Sequence, residues 1–223
     1  MRIVVQRQRF EDPGFVKQIF GNPVFGFGWF FLRLYLGLQW LQAGWHKVSP
    51  FSDDSIGWVR DGTVTVVRNG QQQEVFYNAG DRLLGFWKAA VGAGGQPPRI
   101  TFEWYRDFIQ FMIDHRWNGW FTYLIAYGEF LVGIALIVGA FTGIAAFAGA
   151  VMNLNFMLAG TASTNPVLFT VAIFIILAWK TAGYVGVDRW LLPLLGTPWQ
   201  PGRIFHHVEA KPAARPKPKG AGA

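Results

Sequence analysis

The sequence predicts an all-α integral membrane protein: a bundle of four transmembrane helices carrying an extracytoplasmic insertion built from a β-hairpin and amphipathic helices. Three observations predict it. The 223 residues are 52% hydrophobic and only 15% charged, whereas soluble domains carry about 25% charged residues. The apolar residues gather in four blocks near the length that spans a bilayer. The net charge of +7 lies on the two tails, because the long segment between the first two blocks holds eight basic and eight acidic residues.

The elements follow in chain order. Residues 1–23 form a basic lead broken by Pro13 and Pro23. The membrane domain, 24–195, begins with a first span over 24–45, which at ~1.5 Å per residue covers roughly 30 Å. Residues 46–119 are too long for plain connection. Within them, 63–68 and 71–76 flank Asn69-Gly70, and both turn residues tolerate the positive φ of a type I′ hairpin. Helices are expected over 81–91 and 102–115, the second with Phe102, Tyr105, Phe108, Ile109 and Met112 on one face, as in helices that lie in a membrane interface. The second span is 120–141, the third 144–162 after a turn at Thr142-Gly143, and the fourth runs from Asn165 to about Lys180. Asn165 suits an N-cap and Pro166 the first helical position. A short interfacial helix is expected over 187–195. The remainder, 196–223, is a basic tail whose Pro/Lys/Ala/Gly run cannot bury a core and is expected to be disordered.

Four spans put both tails on one side, and the positive-inside rule makes that side cytoplasmic. The expected location is the cytoplasmic membrane of a bacterium, with lipid as the immediate neighbour. Nucleic-acid binding does not suit basic tails on a four-span protein. The chain has no cysteine, which excludes disulfides, thiolate nucleophiles and cysteine-ligated metals. The histidines make no metal-ligand spacing with a carboxylate, so no metal is expected, and no phosphate-binding loop or hydrolase motif is present.

The candidate site residues are polar groups at membrane depth. Arg33 lies roughly 14 Å, and Glu129 roughly 18 Å, from the cytoplasmic ends of their predicted spans. Asn153 and Asn155 fall in the same zone of the third span. Burying an ionised group at mid-bilayer is unfavourable by about 2.5–3.5 kcal/mol or more. The expectation is therefore an Arg33–Glu129 ion pair braced by Asn153 or Asn155. Such a pair either fixes helix register or serves a ligand or a proton, and outward snorkelling of Arg33 is the rival geometry. Trp40 and Lys47 share a helical stripe with Arg33, and His46 lies on a second polar stripe with Gln39 and Gln42. His46 and Lys47 sit at the outer end of the first span, where a histidine can exchange protons near neutral pH and a cation can hold an anion or anchor the interface.

Arg33-Leu-Tyr-Leu-Gly37, Ala43-Gly-Trp-His-Lys47, Trp104-Tyr-Arg-Asp-Phe108, Tyr127-Gly-Glu-Phe-Leu-Val-Gly-Ile-Ala-Leu136, Met152-Asn-Leu-Asn-Phe-Met157 and Gly186-Val-Asp-Arg-Trp-Leu-Leu-Pro193 resemble the DoxX/DoxD family of small bacterial membrane proteins. The resemblance covers residues 30–193 and leaves out both tails and much of the hairpin. The family includes the quinone-reactive membrane subunit of thiosulfate:quinone oxidoreductase. The resemblance thus implies a membrane redox context, a quinone as cofactor or acceptor, a reduced sulfur compound as donor, and protein partner subunits. Glu129, Arg33 and His46 are then the expected catalytic groups. Arg33, Trp40, Glu129, Asn153, Asn155 and Lys47 are the expected quinone-binding groups. The alternative is a non-catalytic subunit of a respiratory or photosynthetic assembly, in which the polar core only specifies packing.

Overall fold

The structure is a computed structural model and describes residues 12–197 and 200–204. It is mostly helical. The helices are α1 Gly14–Gly21, α2 Gly26–Val48, α3 Asp81–Val91, α4 Glu103–Asp114, α5 Asn118–Val138, α6 Thr142–Leu158, α7 Asn165–Leu177, α8 Trp179–Ala182 and α9 Asp188–Leu195. Two antiparallel hairpins complete it: β1 Gly62–Arg68 with β2 Gln71–Tyr77, and the short β3 Gly196–Thr197 with β4 Gln200–Pro201. The chain divides into two units, Met1–Arg189 and Trp190–Ala223. In the second, β3 and β4 pair where the sequence predicts a disordered tail; the Pro/Lys-rich run beyond residue 204 lies outside the described residues.

The insertion agrees with its local signals. Asn69 and Gly70 both adopt positive φ, 53° and 78°, and Arg68 pairs with Gln71 across the turn. Leu83, Trp87, Tyr105, Ile109 and Met112 bury one face of α3 and of α4 in a common apolar cluster.

Among the described residues, two stretches are long and apolar enough to cross a membrane, Pro23–Val48 and Asn118–Val138. The helices at the predicted third and fourth spans are shorter, Thr142–Leu158 with 17 residues and Asn165–Leu177 with 13. Roughly 26 Å and 20 Å of rise follow from those lengths. The outward faces are apolar along all four, with Phe31, Leu131, Phe147 and Phe174 exposed, as expected where lipid replaces water as the solvent.

α2 runs antiparallel to α5 in close contact. A Cβ added at Gly44 would run into the Phe130 backbone, and one at Gly133 into the Leu41 backbone. Small residues allow this approach. The turn after α5 falls earlier than the sequence predicts, because Gly139 takes φ 73° and caps the helix in the left-handed region. Thr142 then opens α6 instead of sitting in the turn.

Candidate functional site

The contacts that lock α2 to α5 also fix which polar groups meet. Gly37 lies opposite Ile137, Leu41 opposite Gly133 and Gly44 opposite Phe130. In that register Glu129 stands level with Trp45, and Arg33 stands level with Phe141. Twelve residues of α2, from Arg33 to Trp45, separate the two levels, roughly 18 Å. The expected Arg33–Glu129 pair does not form. The two charges occupy opposite ends of the same helix pair.

At the insertion end, the Lys47 Nζ donates to the Glu129 Oε2. The lysine side chain is 17% exposed and the glutamate 2%, so the pair is nearly withdrawn from solvent. The Trp58 ring lies 5.0 Å from the ammonium, within cation–π range. Trp58 is held in turn by its carbonyl, which accepts from the Thr122 hydroxyl at 3.1 Å and from the Gly80 amide at 2.8 Å. The insertion therefore supplies a lid residue over the ion pair. His46 points elsewhere: its Nδ1 lies 3.3 Å from Asp54, and both side chains are more than half exposed.

At the opposite end, Arg33 is fully buried. Its Nη2 donates to the Val185 carbonyl at 2.6 Å, its guanidinium stacks 5.5 Å from Phe30, and Asp188 supplies the compensating negative charge. The Asp188 carboxylate accepts from the Phe141 and Thr142 amides at 2.7 and 2.8 Å. These are the orphan donors at the start of α6, so Asp188 acts as its cap from a distant part of the chain. Arg33 thus does not snorkel outward; it ties α2 to the segment that ends in Asp188, and its Nε and Nη1 have no hydrogen-bond partner among the described residues.

The two asparagines also separate. Asn153 is fully buried, and its amide nitrogen and oxygen have no hydrogen-bond partner among the described residues; the same holds for the Trp40 Nε1. Asn155 instead meets α4. Its Oδ1 accepts from the Tyr105 hydroxyl at 3.0 Å, and its Nδ2 donates to the Val151 carbonyl at 2.7 Å. Burial pushes the Tyr105 phenol up to about 12. Next to this pair, α3 and α4 roof a pocket of about 460 Å³ floored by α5 and α6, within the size range of ligand sites.

Sequence reasoning missed Trp58, Asp188 and the pairing role of Tyr105. Only Tyr105 left a signal, its place on the apolar face of an aromatic helix. Lys47 was visible as a cation at the outer end of the first span and as an expected ligand-binding group, but not as the partner of Glu129.

Long apolar helices with apolar outward faces and a buried ion pair define a helical membrane protein. The DoxX family model matches residues 92–162, from the loop before α4 through α6, so over that stretch the chain is similar to the DoxX family. No curated protein and no solved structure matches the chain.

Proposed function

We propose that the chain is an integral membrane subunit of a redox complex that passes electrons from a reduced sulfur donor, thiosulfate-like in charge, to a membrane quinone. In this reading α2, α5, α6 and α7 continued by α8 all cross the bilayer as a four-helix bundle. Both termini lie in the cytoplasm of a bacterium, in keeping with the basic excess on the tails, and the insertion faces outward towards partner subunits. The observation that carries the reading is the Lys47–Glu129 pair inside apolar helices. An intramembrane ionisable pair marks a functional site by default, and quinone reduction takes up protons as well as electrons. Glu129 is the group placed to hold such a proton, with Lys47 beside it and Trp58 over it. Trp40 on α2 and Asn153 on α6 are buried polar groups available to a polar guest. Arg33 and His46, whose contacts are to the backbone and to exposed Asp54, take no part in this step.

The test is quinol formation by the protein purified with its natural partners, using thiosulfate and other reduced sulfur donors. Glu129→Gln is expected to remove activity by about 100-fold, the lower end for a positioned acid–base group, while assembly stays intact. Full activity in that variant would sink the redox role of Glu129. The alternative, a non-catalytic assembly subunit, is favoured by the purely structural use of Arg33 and Asp188 at the other end. It predicts stoichiometric incorporation into a larger complex without quinol formation.

A further inference from the structure

The pocket under α4 has a division of character that the interior charges lack. Its wall is apolar and rich in rings, among them Phe86, Trp87, Phe121, Phe147 and Phe156. Its polar side chains are Tyr105 and Asn155, and Tyr105 is 4% exposed. Leu124, Phe147 and Val151 line it and are themselves 57%, 61% and 42% exposed. The pocket therefore opens on the apolar outer face of α5 and α6, where a molecule dissolved in lipid would enter.

The polar pair has hydrogen-bonding capacity left over. A phenol has one hydrogen and two lone pairs, and an amide has two N–H donors. Tyr105 spends its hydrogen on Asn155, and Asn155 spends one N–H on the Val151 carbonyl. One amide N–H and the phenolic lone pairs remain for a guest. A carbonyl oxygen would take the first, and a hydroxyl would donate to the second. The phenol stays protonated at all physiological pH values, being pushed up to about 12, so this pattern is permanent.

We propose that the Tyr105–Asn155 pocket binds a flat, lipid-soluble ring compound whose oxygen is a carbonyl in one redox form and a hydroxyl in the other. The aromatic wall matches the ring, and the donor–acceptor pair matches both forms. The proposal rests on the membrane-redox reading for its ligand class. It moves the ring away from the charged interior, to the lipid-facing side of Gly128 and Met152. A straight acyl chain would use neither the donor nor the acceptor.

The full chain in phospholipid nanodiscs is titrated with a short-tailed benzoquinone, its hydroquinone and an alkylbenzene of the same tail. The expected result is that both oxygenated forms bind about tenfold more tightly than the alkylbenzene, the worth of about one hydrogen bond. The double variant Tyr105→Phe/Asn155→Leu is expected to erase that difference. Gly128→Leu is expected to weaken all three ligands by at least about tenfold. Its Cβ would meet only the Met152 Sδ, at 3.7 Å, an ordinary contact distance, so the backbone there admits a side chain. Equal binding of the three ligands to the unmodified chain would overturn the proposal. So would unchanged binding in Gly128→Leu, or labelling of α4 and α6 by a photoreactive acyl chain that saturating benzoquinone fails to displace. Glu129→Gln is expected to leave binding unchanged. Intact binding with turnover unaffected in that variant would count against the proton role of Glu129 alone.

Discussion

The two ends of the α2–α5 pair each bury a charge, and they solve the problem differently. At the insertion end, carboxylate meets ammonium, side chain to side chain, under one tryptophan. At the other end, a guanidinium meets a backbone carbonyl, and a carboxylate meets two backbone amides. The first arrangement links two helices and leaves a proton-binding group beside a cation. The second stitches α2, the start of α6 and the 183–188 segment together through main-chain groups. Charge paired with charge can change state; charge spent on backbone dipoles is fixed in place by the fold it holds. This is why the insertion end carries the proposed chemistry and the other end carries architecture.

Substitutions should break the two ends in unequal ways. The largest effect is expected from Asp188→Ala. It strips from the start of α6 two hydrogen bonds to a charged group, and with them the cap, a loss of about 5 kcal/mol. Chemical unfolding in detergent micelles measures it, and a loss below about 1 kcal/mol would show that the backbone network is dispensable. Next comes Lys47→Met, which strands one buried carboxylate at a cost of about 3–4 kcal/mol. Adding Glu129→Gln to that variant should restore most of the loss, because the pair then disappears together. No recovery in the double variant would mean that Lys47 acts through Trp58 or packing, not through Glu129.

The smallest effect is expected at the neutral contact between α4 and α6. Tyr105→Phe removes one hydrogen bond, about 1 kcal/mol. Its signature is a pH window. The Tyr105 phenol rises in the folded protein to about 12, from an ordinary value of about 10. A group raised on folding contributes its stability in full below the ordinary value and loses it as pH climbs through the folded one. The unmodified protein should therefore lose stability between about pH 10 and pH 12 in a way that Tyr105→Phe does not. Phenolate absorbance in the ultraviolet, compared between the two proteins, should show one late-titrating tyrosine; an early phenolate at that position would mean that α4 does not seal the pocket.

Much of the architecture was legible because local rules decided it. Asn69-Gly70 forced a hairpin turn through its tolerance of positive φ. The helix over 81–91 is observed with those bounds, and the amphipathic helix before α5 is shorter by one residue at each end than predicted. The ends of α5 and α6 were less legible. Gly139 stopped α5 three residues early, and the carboxylate that caps α6 lies 46 residues further along the chain. Among the candidate residues, Glu129 was visible as a misplaced charge and Lys47 as a cation at the outer end of the first span, but Asn155 turned out to answer to α4.

By itself the sequence determined that apolar helices would seek lipid and that Glu129 and Asn153 would face a packed interior, since Glu129 shares a helical stripe with Ala126 and Gly133, and Asn153 with Ala146 and Gly149. Which charge met which was decided only in three dimensions. Side-chain period tells which face a residue occupies, but pairing depends on the slide of one antiparallel helix along another. Here that slide is fixed by backbones closing over Gly44 and Gly133, and it sets Glu129 beside Lys47 while carrying Arg33 to the far end.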